Sequence, residues 1–226
     1  MTWRQLDVET WQERVSAESK GMANRQIAGI LERFSLVPSG FPEGEISAAV
    51  HEGPLAVSGD FTPPTQLCAV LGDLTVTGKL STEAVDGADG NATLIVFGDL
   101  DCASLVNDWA SILVIAGDCR AYDWCFAARE DSAFIIGGDF TTPIFLGADI
   151  WASVGGLANM DYGYGYASSL ASFSDTYDGK HTLPRKGPRE LALKLGLGRQ
   201  AALDEAELIE AIEQRLYATG SIMPLH

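Results

Sequence analysis

The sequence predicts a mainly β protein, a right-handed parallel β-helix (solenoid) with N-terminal and C-terminal helical flanks. A Gly-Asp string recurs through the middle of the 226-residue chain, and apolar residues at helical spacing stand on either side of it. Short β-rich runs arrive roughly once per 20 residues, the period of solenoid coils. These observations divide the chain into a helical cap over 1–50, a solenoid over 51–178, and a linker with a C-terminal helix over 179–226.

From the N-terminus, Leu6, Trp11 and Val15 and then Ile27, Ile30, Leu31 and Phe34 recur at helical spacing. Gly21 divides this stretch into two expected helices, and Pro38-Ser39-Gly40-Phe41-Pro42 ends it. A β-helix leaves unpaired strand edges at its ends, a template for end-to-end association. The expected role of the N-terminal helices is therefore to seal the first coil.

In the centre, a hydrophobic-hydrophobic-x-Gly-Asp string occurs five times, around Gly59-Asp60, Gly72-Asp73, Gly98-Asp99, Gly117-Asp118 and Gly138-Asp139. Gly147-Ala148-Asp149 is a looser sixth copy. Glycine before the aspartate suits a corner where φ is positive or the backbone needs room. The aspartate can accept hydrogen bonds from turn N–H groups. Leu105, Trp124 and Phe145, all large and apolar, each stand seven residues beyond one of these glycines. The uneven spacing favours the right-handed form over the stricter left-handed hexapeptide helix. Outward loops are expected at Ser81–Asn91 and Asn107–Ser111. The competing architecture is a sandwich of antiparallel strands, which would not need a Gly-Asp after each strand.

At the far end, Tyr162-Gly163-Tyr164-Gly165-Tyr166 reads as a turn-rich wall or contact surface, followed by a basic link over 180–189. Asp204-Glu205-Ala206-Glu207 resembles a capping box, leading into Leu208, Ile209, Ile212 and Leu216 and ending near Gly220.

Charge is distributed unevenly. The net charge is −16, and residues 51–178 hold 18 acidic side chains against Lys79, Arg120 and Arg129. Stacked coils would set the Gly-Asp carboxylates about 4.8 Å apart. Backbone hydrogen bonds would offset their mutual repulsion, roughly 1 kcal/mol in water. Asp86, Asp89, Asp101, Asp108, Asp123, Glu130 and Asp131 are not explained by turn geometry. A surface this negative attracts a basic protein and repels nucleic acid. The acidic C-terminal helix likewise argues against a helix-turn-helix.

Motifs for chemistry are missing. His51, His181 and His226 lack metal-ligand spacing, and no phosphate-binding loop or nucleophile elbow occurs. The calcium-binding nonapeptide of other solenoids is absent. Cys68, Cys102, Cys119 and Cys125 read as reduced thiols of a cytoplasmic protein, small buried hydrophobes rather than nucleophiles. No cofactor, metal or catalytic residue is expected, and no enzyme: β-helix enzymes of carbohydrates use more coils. The start of the chain lacks the apolar segment of a secretory signal, and nothing reads as a membrane span.

The Val-x-Gly-Asp-Leu pattern over 56–150 resembles bacterial Gly-Asp-Leu repeat solenoids, similar to bactofilins but with larger helical flanks, uneven coils and stronger acidity. Related acidic solenoids include immunity proteins encoded beside interbacterial toxins. The resemblance carries no catalytic or binding residue over by position. It implies a non-enzymatic immunity protein that occludes the active site of a basic, nucleic-acid-acting toxin. The alternative is a bactofilin-like structural protein assembling through its ends, although a monomer is expected. Candidate contact residues are Asp86, Asp89, Asp101, Asp108, Trp109, Tyr122, Asp123, Glu130, Asp131 and Trp151, with the aromatics as anchors.

Overall fold

The computed structural model describes residues 2–33, 46–82, 92–108, 110–165, 188–197 and 205–224. Its centre is a β-solenoid of about five turns with helices at both ends of the chain. Three walls enclose one apolar column. Wall A stacks β2 (Ala48–Glu52), β4 (Leu67–Leu71), β6 (Thr93–Val96) and β8 (Ile112–Ile115) in parallel. The last parts of β9 (Cys119–Ile136) and β10 (Phe140–Val154) continue it. Wall B stacks β3 (Leu55–Val57) on the first parts of β5 (Leu74–Ser81), β7 (Leu100–Asn107), β9, β10 and β11 (Ala158–Gly165). Wall C is formed by the later parts of β5, β7 and β11 and the middle parts of β9 and β10.

Parallel register stacks like positions in files. On wall A the inward file runs Ala49, Cys68, Leu94, Leu113, Phe134 and Ala152. Near the last coils each wall contributes one phenylalanine. Phe134, Phe140 and Phe145 pack with ring centroids 5.2–5.9 Å apart. On wall C the inward file runs Leu80, Leu105, Cys125 and Phe145, all buried in the column. Trp124, although it shares the seven-residue spacing of Leu105 and Phe145, lies one position off this file. It pairs with Ser104 and packs outward with the C-terminal helices. A fixed count of seven fails here because the corner preceding wall C interrupts the register.

The helical flanks differ from expectation in where they sit. Gly21 does end α1 (Val8–Gly21), and α2 (Arg25–Arg33) follows. Asp7 caps α1 by accepting from the Thr10 N–H at 2.8 Å. These helices do not plug the first coil but lie along wall A. Trp11, Val15, Ile27 and Leu31 pack on the outward residues Val50, Ala69, Ile95, Val114 and Ile135. Arg14 reaches Glu52 at 3.0 Å, and Asn24 Nδ2 donates to the Gly137 carbonyl at 3.1 Å, so the pair spans from the first coil to β9. Sealing falls instead to β1 (Arg4–Leu6), which pairs antiparallel with β2. Trp3 lies beside the column, stacked on Phe61 at 6.2 Å. The solenoid thus begins at Ala48, within the segment assigned to the helical cap.

The C-terminal helices α3 (Pro188–Lys194) and α4 (Glu205–Thr219) cover wall C. Leu191, Leu208, Ile212 and Leu216 pack on Val106, Trp124, Phe126, Ile144 and Leu146. Gly220 ends α4 with φ +73, a value glycine adopts without strain. Asp204, the expected cap of α4, lies outside the described residues. Tyr162–Gly165 is strand rather than turn, pairing with β10 through Ile144↔Tyr162 and Gly147↔Gly165. Most of the expected loop at Ser81–Asn91 lies outside the described residues. Asn107, Asp108 and Ser111 of the other loop are buried rather than projecting outward.

Candidate partner-binding face

Four of the five Gly-Asp pairs form a ladder along the corner between walls A and B. Asp73 Oδ1 accepts the Asp99 N–H at 2.9 Å, and Asp99 Oδ1 accepts that of Asp118 at 2.8 Å. Asp118 Oδ1 accepts that of Asp139 at 2.8 Å, and Asp139 Oδ1 that of Leu157 at 2.7 Å. Each carboxylate thereby satisfies a backbone donor of the following coil. The glycine requirement has the same origin. A Cβ at Gly98, Gly117, Gly138 or Gly156 would overlap the carboxylate oxygen arriving from the preceding coil. Room, not positive φ, is what these corners demand.

The first Gly-Asp copy belongs elsewhere. Gly59-Asp60 lies at the corner between walls B and C, where Asp60 Oδ1 accepts the Lys79 N–H at 2.8 Å. Gly147 of the looser copy lies within β10, paired with Ala127 and Gly165, and is not a rung of the ladder. Gly156-Leu157 ends the ladder: the glycine still makes room for Asp139, while Leu157 supplies no carboxylate.

Wall B carries the outward file Thr75, Asp101, Arg120, Thr141 and Asn159. Arg120 lies 4.0 Å from Asp101 and 3.8 Å from Asp118. Tyr122 is 61% exposed, yet its hydroxyl donates to Asp101 Oδ1 at 2.9 Å. That bond, together with the carboxylate's charge, pushes the hydroxyl above its ordinary value. Asp123 beside it is exposed and, among the described residues, makes no hydrogen bond or ion pair. The corner between walls B and C holds a cavity of about 360 Å³. Pro143, Ile144 and Met223 form its apolar lining, and Tyr122, Asp123, Asp161, Tyr162 and Lys194 its polar lining.

Of the candidate contact residues, the structure brings Asp101, Tyr122 and Asp123 together on wall B. Asp108 is buried and accepts a hydrogen bond from the Tyr217 hydroxyl of α4, so its carboxylate faces a helix rather than solvent. Trp151 is 47% exposed, but it lies on the outward file of wall A in the last coil, away from the other three. Glu130 and Asp131 lie within β9 rather than a loop. Asp86, Asp89 and Trp109 lie outside the described residues. Sequence reasoning passed over Asp161 and Lys194, and it named Arg120 only as a solenoid cation and Tyr162 only as part of a turn-rich wall or contact surface; the coil register and the return of α3 bring the four to this wall.

The chain matches no family model, no curated protein and no solved structure. What wall B can do chemically rests on its own geometry. Among the described residues no group of three or more His, Cys, Asp or Glu is placed to hold a metal ion. No described helix is long and apolar enough to cross a membrane. Cys68, Cys102, Cys119 and Cys125 are all buried. Desolvation pushes the Cys102 thiol up to about 12 and those of Cys119 and Cys125 well above the ordinary value, which disfavours the thiolate at these three. Wall B thus carries a hydrogen-bonded ladder of carboxylates along one edge, an exposed tyrosine held at its hydroxyl, and a cavity along the other edge.

Proposed function

We propose that this chain is a non-enzymatic binding protein whose acidic wall B docks a basic protein. Its most concrete form is an immunity protein that neutralises a nucleic-acid-acting toxin by occluding the basic substrate cleft. The supporting observation is selective coverage. Helices lie over walls A and C, whereas among the described residues none lies over wall B, where Asp101 and Asp118 flank Arg120, the Asp73, Asp99 and Asp139 rungs line one edge and Asp123 stands at the other. An acidic surface of this kind imitates the phosphate backbone such a cleft is built to hold, and its field speeds encounter with a positive partner.

The test is titration of the pure chain with the toxin encoded beside it, over a range of salt. Tight binding that weakens steeply with salt is expected, together with a loss of about tenfold or more on Asp123→Lys. Failure to bind that toxin or any basic protein at low salt would sink the reading. End-to-end assembly is the competing proposal, and β1 stands against it by occupying the edge of β2. Electron microscopy of the intact chain and of a chain lacking residues 1–7 separates the two. Filaments from the intact chain would favour assembly, whereas association only after truncation would favour the capped module.

A further inference from the structure

We infer that the cavity beside Tyr122 is an anchor subsite that takes a cationic side chain, arginine or lysine, projecting from the protein docked on wall B. The inference rests on wall B being the docking face and adds where the partner is held and by which chemistry. The cavity's volume, about 360 Å³, accommodates a long side chain. Its lining has the two parts such a side chain needs. Pro143, Ile144 and Met223 suit the aliphatic stem, and the carboxylates of Asp123 and Asp161 suit the charged head. Tyr122 and Tyr162 add ring faces that attract a guanidinium.

Tyr122 is also prepared in advance. Its bond to Asp101 fixes an otherwise exposed ring at the cavity, so little rotamer freedom remains to be lost on docking. Asp123 has no hydrogen bond or ion pair among the described residues and stands across wall B from the ladder, so a partner spanning wall B reaches it at the opposite edge. Among the described residues Lys194 is the one cation in the lining. It opposes a bound cation and therefore fixes the sign of the test.

The full chain, labelled at methyl groups, is titrated with N-acetyl-argininamide and separately with its neutral isostere N-acetyl-citrullinamide, with NMR detection. Saturable shifts at the Ile144 and Met223 methyls are expected for the arginine derivative, and binding roughly tenfold weaker or undetectable for the citrulline derivative. Asp161→Asn is expected to weaken the arginine derivative and Lys194→Gln to strengthen it. Equal binding of both compounds, no saturable shift, or weakening by Lys194→Gln overturns the inference. A second measurement uses protamine at low salt. Protamine binding that Asp161→Asn and Tyr122→Ala weaken supports the anchor. Binding indifferent to both variants overturns the anchor while leaving wall B as a docking face, and no protamine binding by the intact chain overturns both.

Discussion

Walls A and B are built from the same coils and follow the same inward-outward alternation, yet their outward residues differ in kind. Wall A presents Val50, Ala69, Ile95, Val114 and Ile135, and α1 and α2 lie on them. Wall B presents Thr75, Asp101, Arg120, Thr141 and Asn159, and no described helix covers them. In a solenoid the inward file makes the fold, while the outward file decides what each wall meets. Strands buried on both faces read as continuous apolar runs, and strands open on one face alternate. Leu67-Cys68-Ala69-Val70 is buried throughout, whereas Leu74-Thr75-Val76-Thr77 alternates buried and exposed.

The largest expected effect comes from exchanging the character of the two walls. Ile95→Asp places a charge between wall A and the helices, among the apolar side chains of Trp11, Val15, Ile27 and Leu31. It should destabilise by about 4 kcal/mol or unfold the chain. Thr75→Asp makes a comparable change on open wall B and should stay within about 0.5 kcal/mol. Chemical denaturation of both variants checks the contrast, and similar losses would mean that wall B is also covered in solution.

The next effect concerns glycines that share a residue type but not a role. Gly98→Ala drives a Cβ into the Asp73 carboxylate and to 2.8 Å from the Gly72 carbonyl carbon, and should cost about 3 kcal/mol. At Gly21 nothing lies within 4 Å of an added Cβ, so Gly21→Ala should be neutral or slightly stabilising. Between the two in size is Asp99→Ala, which leaves the Asp118 N–H without its acceptor and should cost about 1–2 kcal/mol. Asp99→Asn keeps an amide oxygen in place and should recover most of that loss. Equal losses from the two Asp99 variants would show that charge, rather than the hydrogen bond, matters at the ladder.

How much of this was legible follows from the same physics. The ladder could be read because each rung needs the identical pair of residues, glycine to admit one carboxylate and aspartate to supply the next. The string alone does not reveal which corner a rung occupies, which is why Gly59-Asp60 is indistinguishable in sequence from its neighbours. Helical periodicity located α1, α2 and α4, because their apolar faces are local properties. Their placement on walls A and C depends on contacts far apart in the chain, such as Asn24 with Gly137. Arg4-Gln5-Leu6 has no strand signature of its own and becomes a strand because the β2 edge pairs with it. On wall B, Asp101, Tyr122 and Asp123 stand out in the sequence as acids and an aromatic without a turn role. Lys194 joins them only through the return of α3, for which a linear pattern carries no sign.

The smallest expected effect tests the polar rim where α1 meets wall A. The Arg14 guanidinium hydrogen-bonds Glu52 and holds its carboxyl below the ordinary value of 4.5. A depressed carboxyl contributes stability above its unfolded-state value and loses it as pH falls through the folded-state value. Glu52→Gln should therefore lower the thermal midpoint at neutral pH, and its difference from the unmodified chain should shrink towards zero in acid. The Glu52 side chain is about half exposed, at 51%, so solvent screening limits the contribution to roughly 0.5 kcal/mol and added salt should reduce it further. A deficit that persisted at low pH would mean that Glu52 supports the α1–β2 contact through packing, and would move this rim from electrostatic attachment to the apolar contact that holds the rest of wall A.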